Sequence, residues 1–302
     1  MSEGTFYGLM SAIDTDREVR AARLDAALLQ ALSTQNTPPK LVEALHYSVF
    51  PGGARIRPNL CLAVAHADGC DAPDLALGVA CSLELLHCAS LVHDDLPCFD
   101  DALLRRGKPS VHRVFGEPLA VLTGDALIIS AFECTAKAGV RYPSRLSAIV
   151  QRLAQAVGAN GGLVAGQAWE SEASVDLNAY HQAKTGSLFV AATTLGALCA
   201  GRDPDAWSVV GQRLGAAYQV ADDLLDAHAN ASEGKYAGRD AALGRPNAAL
   251  ELGTAGALER LRGLVDESAS AVPDCEGAAS LRWQIRQMAE RLVPPSLRRS
   301  AA

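Results

Sequence analysis

The stretch PDLALGVACSLELLHCASLVHDDLPCFDD, residues 73–101, is apolar over most of its length and acidic at its end. From Pro73 to His93 it is apolar on most faces, which indicates a helix buried inside a helical protein. The aspartates that follow, which we call the first cluster, are Asp94, Asp95, Asp100 and Asp101. Such a cluster after a buried helix predicts either an acidic cap or a site that holds cations.

The composition favours the same kind of protein. Hydrophobic residues make up 49% of the 302 residues, and aromatic residues only 5%. Because alanine and leucine dominate, helices packed on helices are favoured over sandwiches or barrels. Apolar residues recur at helical spacing, without strand-like alternation. We therefore expect an all-α protein with a single domain over residues 1–302.

Charge and targeting signals exclude several classes of protein. The net charge is −7 and the chain has no Lys/Arg-rich block, so nucleic acid is not an expected partner. The eight cysteines show no CxxC spacing, as is typical of thiols in a reducing compartment. We find no signal peptide and no run that approaches the roughly 18 uncharged apolar residues of a membrane span. We expect a cytoplasmic protein that is not an integral membrane protein.

A second cluster of aspartates lies in YQVADDLLDA, residues 218–227. On a helix, Asp222 and Asp226 lie about 40° apart and share a face, and Asp223 flanks them. Three carboxylates in apolar surroundings repel one another unless something positive lies between them. A single DDxxD is typical of a solvated helix face, but a second acidic cluster after an apolar helix weakens that interpretation.

The first cluster needs a different geometry. Asp94 and Asp100 are six residues apart, about 240° round an ideal helix, so on a helix they would not converge. Pro97 lacks an N–H and clashes with the preceding turn, so the helix should end or bulge near it. We expect Asp100 to fold back toward Asp94.

Carboxylate ligands without histidine or thiolate at matching spacing favour Mg²⁺ over zinc. Because Mg²⁺ takes part of its shell from substrate phosphates, basic residues should lie nearby. The candidates are Arg55, Arg57, Arg105, Arg106, Lys108, Lys184, Lys235, Arg239 and Arg245. Each alone is typical of a solvated surface charge, but with two acidic clusters they predict a site for diphosphate groups.

In this order, HDDLPCFDDALLRRGKPSVH and YQVADDLLDA resemble the two aspartate-rich motifs of the trans-isoprenyl diphosphate synthases. GGARIRP, GANGGLVAGQ, HQAKTGSL and GKYAGRDAALGRP fall where that family has its other motifs. The resemblance runs from about Pro51 to Asn247. It implies a bundle of mostly antiparallel helices around a deep cavity, normally in a homodimer.

The resemblance also implies a reaction. Mg²⁺ ions grip the diphosphate of an allylic substrate (dimethylallyl, geranyl or farnesyl diphosphate), its carbon–oxygen bond ionises, and isopentenyl diphosphate attacks the cation and loses a proton. The implied metal ligands are Asp94, Asp100 and Asp222, supported by Asp95, Asp223 and Asp226.

The implied contacts to the allylic diphosphate are Arg105, Lys184 and Lys235, with Thr185 and Gln219. Those to isopentenyl diphosphate are Arg55, Arg57, His87 and Arg106. Catalysis would rest on Asp94, Asp100, Lys184, Asp222 and Lys235. For His87 a buried histidine with a backbone partner is an equally good interpretation.

Three positions depart from the family pattern. Ala54 stands where the family usually has lysine, Arg245 where lysine is common, and Glu170 where an aspartate follows the GQ pair. The missing charge at Ala54 is expected to weaken isopentenyl diphosphate binding without abolishing it.

In this family, product length is limited by side chains on the helix before the first cluster. Ala89 lies about 7.5 Å below Asp94 along a helix, and Ser90 one turn below it. Farnesyl-forming members often have an aromatic ring near this level, whereas Cys88, Ala89 and Ser90 are small. That resembles the bacterial geranylgeranyl diphosphate synthases of carotenoid and photosynthetic pigment pathways and implies a twenty-carbon product. A fifteen-carbon or longer product stays open, as does a role for Ala89 in close helix packing alone.

Two other classes share part of this pattern. A non-catalytic subunit of a heteromeric synthase typically loses an aspartate cluster, but both are whole here and only Ala54 supports that alternative. A terpene cyclase would carry an Asn/Ser/Glu-type second motif in place of DDLLD.

Overall fold

The structure, a computed structural model, describes residues 19–33, 35–50, 52–174, 176–228 and 247–292. Helices make up most of this part of the chain. They are α1 (19–31), α2 (Pro39–Val49), α3 (Ile56–Ala67), α4 (Pro73–Asp94), α5 (Val111–Phe115), α6 (Glu117–Gly139), α7 (Pro143–Val157), α8 (Leu163–Ala168), α9 (Leu177–His181), α10 (Ser187–Cys199), α11 (Ser208–His228), α12 (Ala248–Ser270) and α13 (Ala278–Leu292). The all-α prediction is confirmed.

The helix predicted from the apolar stretch is α4, and it lies in the core. It packs along α6 and also contacts α3 and α10. Small residues allow the close approach to α6: the Ser82 hydroxyl donates to the Ala131 carbonyl at 2.6 Å, and a Cβ on Gly78 would lie 2.4 Å from the Ala138 Cβ. On the other side of the bundle α10 packs on α11, and α11 on α12.

A small hairpin spans residues 104–109, in the basic segment that follows the first cluster. Strands β1 (Leu104–Arg105) and β2 (Lys108–Pro109) pair antiparallel. Arg106 and Gly107 form the turn with positive φ angles of 53° and 76°, as a two-residue hairpin turn requires. The Tyr47 hydroxyl donates to the Pro109 carbonyl at 2.7 Å and fixes the hairpin against α2.

Two helices correct the expectation that no run approaches the length of a membrane span. By length and composition alone, α4 and α6 are both long and apolar enough to cross a membrane. The apolar window of α4 is 72% buried inside the protein, which is typical of a core helix. The corresponding window of α6 is only 33% buried, so α6 presents an apolar face outward.

Candidate active site

The first cluster lies where α4 ends. The helix stops at Asp94, three residues before Pro97, and the chain then turns back on itself. The backbone N–H of Asp100 donates to the carbonyl of Asp94 at 3.0 Å. The N–H of Ala102 donates to the Asp95 carbonyl at 3.1 Å. The predicted return of Asp100 toward Asp94 is therefore confirmed for the backbone.

Asp95 is buried, with 2% of its surface exposed, and it pairs with Arg105. The Arg105 Nε donates to both carboxylate oxygens, at 3.0 and 3.2 Å, and Nη2 donates to Oδ1. Burial raises the pKa of Asp95 although Arg105 works against that shift. This ion pair ties the hairpin to the end of α4, so Arg105 meets a carboxylate of the first cluster.

Lys184 lies in a π-helical turn, Gln182–Gly186, between α9 and α10. Such turns are frequent at functional sites. Its ammonium lies 2.6 Å from Glu170 Oε1 and 3.3 Å from Asp94 Oδ1. Burial alone would lower the pKa of Lys184, but Asp94, Tyr180 and Glu170 together raise it, so the lysine is charged.

Gly166 allows α8 and the π-helical turn to lie in close contact. A Cβ at this position would lie 2.3 Å from the backbone nitrogen of Lys184. Only glycine allows that approach. Gly166 therefore lets α8 lie directly against the backbone of Lys184.

Glu170 holds a fixed position beside Lys184. The Tyr180 hydroxyl donates to its Oε1 at 2.6 Å, and the Gln167 amide to its Oε2 at 3.2 Å. In the sequence, Glu170 stands out only as a departure from the family pattern, without an assigned role. Its place after the GQ pair was the available signal.

The second cluster lies on α11 as predicted, and its members differ in surroundings. Asp223 is 4% exposed and accepts hydrogen bonds from the Gln219 amide at 3.0 Å and from the Ala248 N–H at 2.9 Å. The bond from Ala248 fixes the start of α12 against α11. Asp222 and Asp226 are half-buried. The Thr185 hydroxyl donates to Gln219 Oε1 at 2.9 Å and joins the π-helical turn to α11.

Arg55 precedes α3 with a left-handed φ of 49° and is held by a buried carboxylate. Its Nη1 lies 2.6 Å from Glu84 Oε1, and Nη2 donates to the Val49 carbonyl at 2.9 Å. Glu84 was not predicted as a site residue, and the available signal was its position as an acidic residue in the middle of an apolar helix. Arg55 therefore already has a partner inside the protein.

Arg57 lies between α4 and α11. Its guanidinium covers the rings of Phe189, at 4.6 Å, and Tyr218, at 5.3 Å, and Nη1 lies 3.5 Å from His87 Nε2. Its Nε is buried without a hydrogen-bond partner among the described residues. Burial lowers the pKa of Arg57 and outweighs the opposite effect of Tyr218, Glu84 and Asp222.

His87 is uncharged. Burial pushes its pKa well below the usual value, and the neighbouring arginines, Arg57 first among them, act in the same direction. A neutral imidazole next to an arginine with an unsatisfied N–H can donate a hydrogen bond to an anion without contributing charge.

Arg106 lies on the hairpin turn and is exposed. A Cβ on Gly53 would lie 2.8 Å from its Nη2, so the Gly-Gly turn leaves room for this guanidinium. Arg106 and Lys108 line a cleft together with Tyr47 and the Asp95–Arg105 pair. The predicted residues Lys235, Arg239 and Arg245 lie outside the described residues.

The oxygen ligands present fit Mg²⁺. Within the described ranges, no three His, Cys, Asp or Glu side chains are close enough together to hold one metal ion. A site for a metal alone is therefore not preformed there. Mg²⁺ usually binds one or two carboxylates and completes its octahedron with waters and substrate phosphates. The half-buried Asp94, Asp100, Asp222 and Asp226 suit that arrangement.

The three candidate length-determining residues have different surroundings. Cys88 and Ala89 are each 1% exposed, and the Cys88 thiol lies 3.8 Å from Glu84 Oε1. Ser90 is half-buried, and its hydroxyl donates to the His87 carbonyl at 2.8 Å. Of the three, Ser90 is the one with partial exposure below Asp94.

Known proteins resemble this chain over most of its length. A geranylgeranyl diphosphate synthase of Cereibacter sphaeroides is 51% identical and covers 90% of this chain and 96% of its own. One from Rhodobacter capsulatus is 49% identical, with 92% and 98% covered. Among solved structures, a FPP/GFPP synthase from Zymomonas mobilis aligns with a TM-score of 0.80 at 32% identity, covering 94% of this chain and 100% of its own.

The family model described as polyprenyl synthetase matches residues 38–277. That range contains both aspartate clusters, Lys184 and Glu170, and extends beyond the stretch on which the sequence resemblance rested. The chain belongs to the polyprenyl synthetase family.

Proposed function

We propose that this protein condenses isopentenyl diphosphate with an allylic diphosphate and that its main product is geranylgeranyl diphosphate. The observation that carries the proposal is the arrangement of charge around the ends of α4 and α11. Lys184 contacts Asp94 at the end of α4, and Arg57 joins His87 on α4 to Tyr218 on α11. Two acidic clusters with cations beside them suit a diphosphate bound through metal ions.

The allylic diphosphate would lie between the two clusters. Asp94, Asp100 and Asp222 would hold Mg²⁺, which when bound neutralises the diphosphate and stabilises charge on the leaving group. Lys184 would donate to the same oxygens, and Arg105 and Lys235 are further candidates. As the allylic carbon–oxygen bond breaks, its electron pair leaves with the diphosphate, and these donors stabilise the growing negative charge.

Isopentenyl diphosphate would bind on the side of Arg57 and His87. The unsatisfied Nε of Arg57 and the neutral His87 ring offer donors, and the exposed Arg106 offers charge. The double bond of this substrate attacks the allylic cation, a new carbon–carbon bond forms, and a proton is lost. Apolar rings such as Phe189 and Tyr218 would keep water from the cation.

The twenty-carbon product is supported by the small side chains of Ala89 and Ser90 below Asp94. It is supported also by the printed names of the Cereibacter and Rhodobacter relatives. The Zymomonas structure is titled a FPP/GFPP synthase, so farnesyl diphosphate is the alternative product. A precursor of this length suits the synthesis of carotenoids.

A homodimer is part of the proposal. An exposed apolar surface, the α5–α6 face, consists of Val114, Val121, Leu122 and Ile129, which are 47%, 41%, 54% and 69% exposed. Burying such a patch against a second copy would remove it from water.

Release of inorganic pyrophosphate tests the proposal. The purified protein should release it from isopentenyl and geranyl diphosphates together, and only with Mg²⁺ present. Asp222→Asn should slow release at least about a hundredfold, because removing one transition-state stabiliser costs that much. No release by the wild type with any allylic partner would refute the proposed activity.

A further inference from the structure

The ammonium of Lys184 lies between two carboxylates, and only one of them belongs to the aspartate clusters. Glu170 is the nearer, at 2.6 Å, and Asp94 lies at 3.3 Å. The three side chains are 17%, 15% and 21% exposed for Glu170, Asp94 and Lys184. Charges this well shielded from water interact more strongly than a surface pair does.

Neighbouring side chains hold the carboxylate of Glu170 in place. It comes from the short helical turn Trp169–Ser171 that follows α8. Tyr180 and Gln167 each donate to one of its oxygens, and the ring of Tyr180 lies 5.8 Å below the Lys184 ammonium. Its position is therefore determined by neighbours other than the lysine.

Lys184 and a metal ion would compete for Asp94. A divalent cation on that carboxylate repels the ammonium 3.3 Å away, and the lysine must then rely on another partner. Glu170 is the partner already in contact with it. Without Glu170, the lysine would bind Asp94 alone and oppose the cation.

We infer that Glu170 is a positioning residue for Lys184. It holds the ammonium beside Asp94, so that when a cation occupies Asp94 the lysine remains where it contacts the diphosphate of the allylic substrate. The inference rests on the proposed function and adds a residue to its machinery.

The direct test measures binding without turnover. Isothermal titration calorimetry with inorganic pyrophosphate in excess Mg²⁺ compares the wild type with Glu170→Gln and Glu170→Asp. Glu170→Gln is expected to weaken binding about tenfold, the effect of losing one charge-assisted contact. Glu170→Asp keeps the charge and should recover most of the affinity.

Glu172→Gln is the matched control. Glu172 is exposed two residues further on, so its substitution changes the net charge equally without touching Lys184. It should bind pyrophosphate like the wild type. A second readout separates positioning from general loosening: Glu170→Gln should raise the KM for the allylic diphosphate about tenfold and leave that for isopentenyl diphosphate within about twofold.

These binding measurements can fail separately from the proposed function, because that function is tested by turnover of the wild type and not by comparison of Glu170 variants. Equal pyrophosphate binding by the wild type and Glu170→Gln would overturn the inference, and so would no binding by either. Equal losses in Glu170→Gln and Glu172→Gln would overturn it too, since net charge would then be the cause. A rise in both KM values by the same factor would also contradict it.

Discussion

Glu84 is a charged residue in the middle of an apolar helix, and its side chain is only 2% exposed. It is tolerated there because Arg55, 9% exposed, pairs with it at 2.6 Å. Removing one partner of a buried pair leaves the other charge desolvated. Asp25, 3.4 Å from Arg55 Nη2 and 52% exposed, would compensate that charge only in part.

Glu84→Gln is therefore expected to lower the free energy of unfolding by about 3 kcal/mol, measured by urea denaturation. Glu133→Gln is the control, because Glu133 pairs with Lys137 on the exposed surface of α6. Its loss should cost less than about 0.5 kcal/mol. Similar losses in the two variants would show that Glu84 does not act as a buried ion-pair partner.

His87 makes stability depend on pH with a definite sign. In the folded protein its pKa lies well below the usual value, whereas in the unfolded chain it is about 6.5. Below about pH 6.5 the unfolded chain binds a proton at His87 that the folded protein does not bind. The free energy of unfolding is therefore unaffected by His87 above about pH 6.5 and decreases as the pH falls below it.

Between pH 6.5 and 5.5 the wild type should lose about 1 kcal/mol more than His87→Gln, which has no such proton to bind. Denaturation at the two pH values measures the difference. Parallel losses in the two proteins would mean that His87 titrates normally in the folded state.

Most of the charged residues of the candidate site could be predicted from the sequence, but their partners could not. The aspartate clusters and Lys184 are visible because acidic and basic residues stand out among apolar neighbours. Glu84 contacts Arg55, 29 positions away, and Glu170 contacts Lys184, 14 positions away. Contacts over such separations depend on helix packing, which one sequence does not reveal.

The contact between α8 and the π-helical turn is the tightest feature that positions Lys184. Gly166→Ala should displace the turn, because the new Cβ would lie 2.3 Å from a backbone nitrogen that cannot move aside alone. We expect a loss of about 1–3 kcal/mol in stability and at least a tenfold lower kcat.

Gly263→Ala on α12 is the control, because nothing lies within 4 Å of a Cβ there. It should stabilise the protein by up to about 1 kcal/mol through helix propensity. Unchanged turnover in Gly166→Ala would show that the π-helical turn need not be held so closely.

The lower part of α4 should control product length. Phenylalanine at Ala89 or Ser90 is expected to shorten the main product from twenty to fifteen carbons, because either ring would lie on the path proposed for the growing tail below Asp94. Cys88→Phe is the comparison, since the Cys88 thiol faces Glu84 instead. A twenty-carbon product from both variants would show that the tail does not pass this level.

The helices themselves were predictable because apolar spacing and proline positions mark them; α7, for example, spans Pro143–Val157 as its pattern indicates. The π-helical turn was not. Its side chains suit an ordinary helix, and its close contact with Gly166 joins residues that are far apart in the sequence. The hairpin was also missed, because two-residue strands have no detectable alternation.

At the scale of the whole molecule, the α5–α6 face predicts association. Ile129→Glu, at the most exposed of its four residues, should shift the protein from dimer to monomer in sedimentation velocity at micromolar concentration. Val209→Glu changes an exposed valine on α11 and should leave the dimer intact. A monomeric wild type, or a dimeric Ile129→Glu variant, would show that the α5–α6 face does not form the dimer interface.

In the proposed function, the two clusters serve one condensation reaction with a twenty-carbon end product. Chromatography of dephosphorylated products, after incubation with Mg²⁺, isopentenyl diphosphate and farnesyl diphosphate, measures that product. Geranylgeraniol is expected as the main product. Recovery of farnesol alone, with no new carbon–carbon bond, would contradict it.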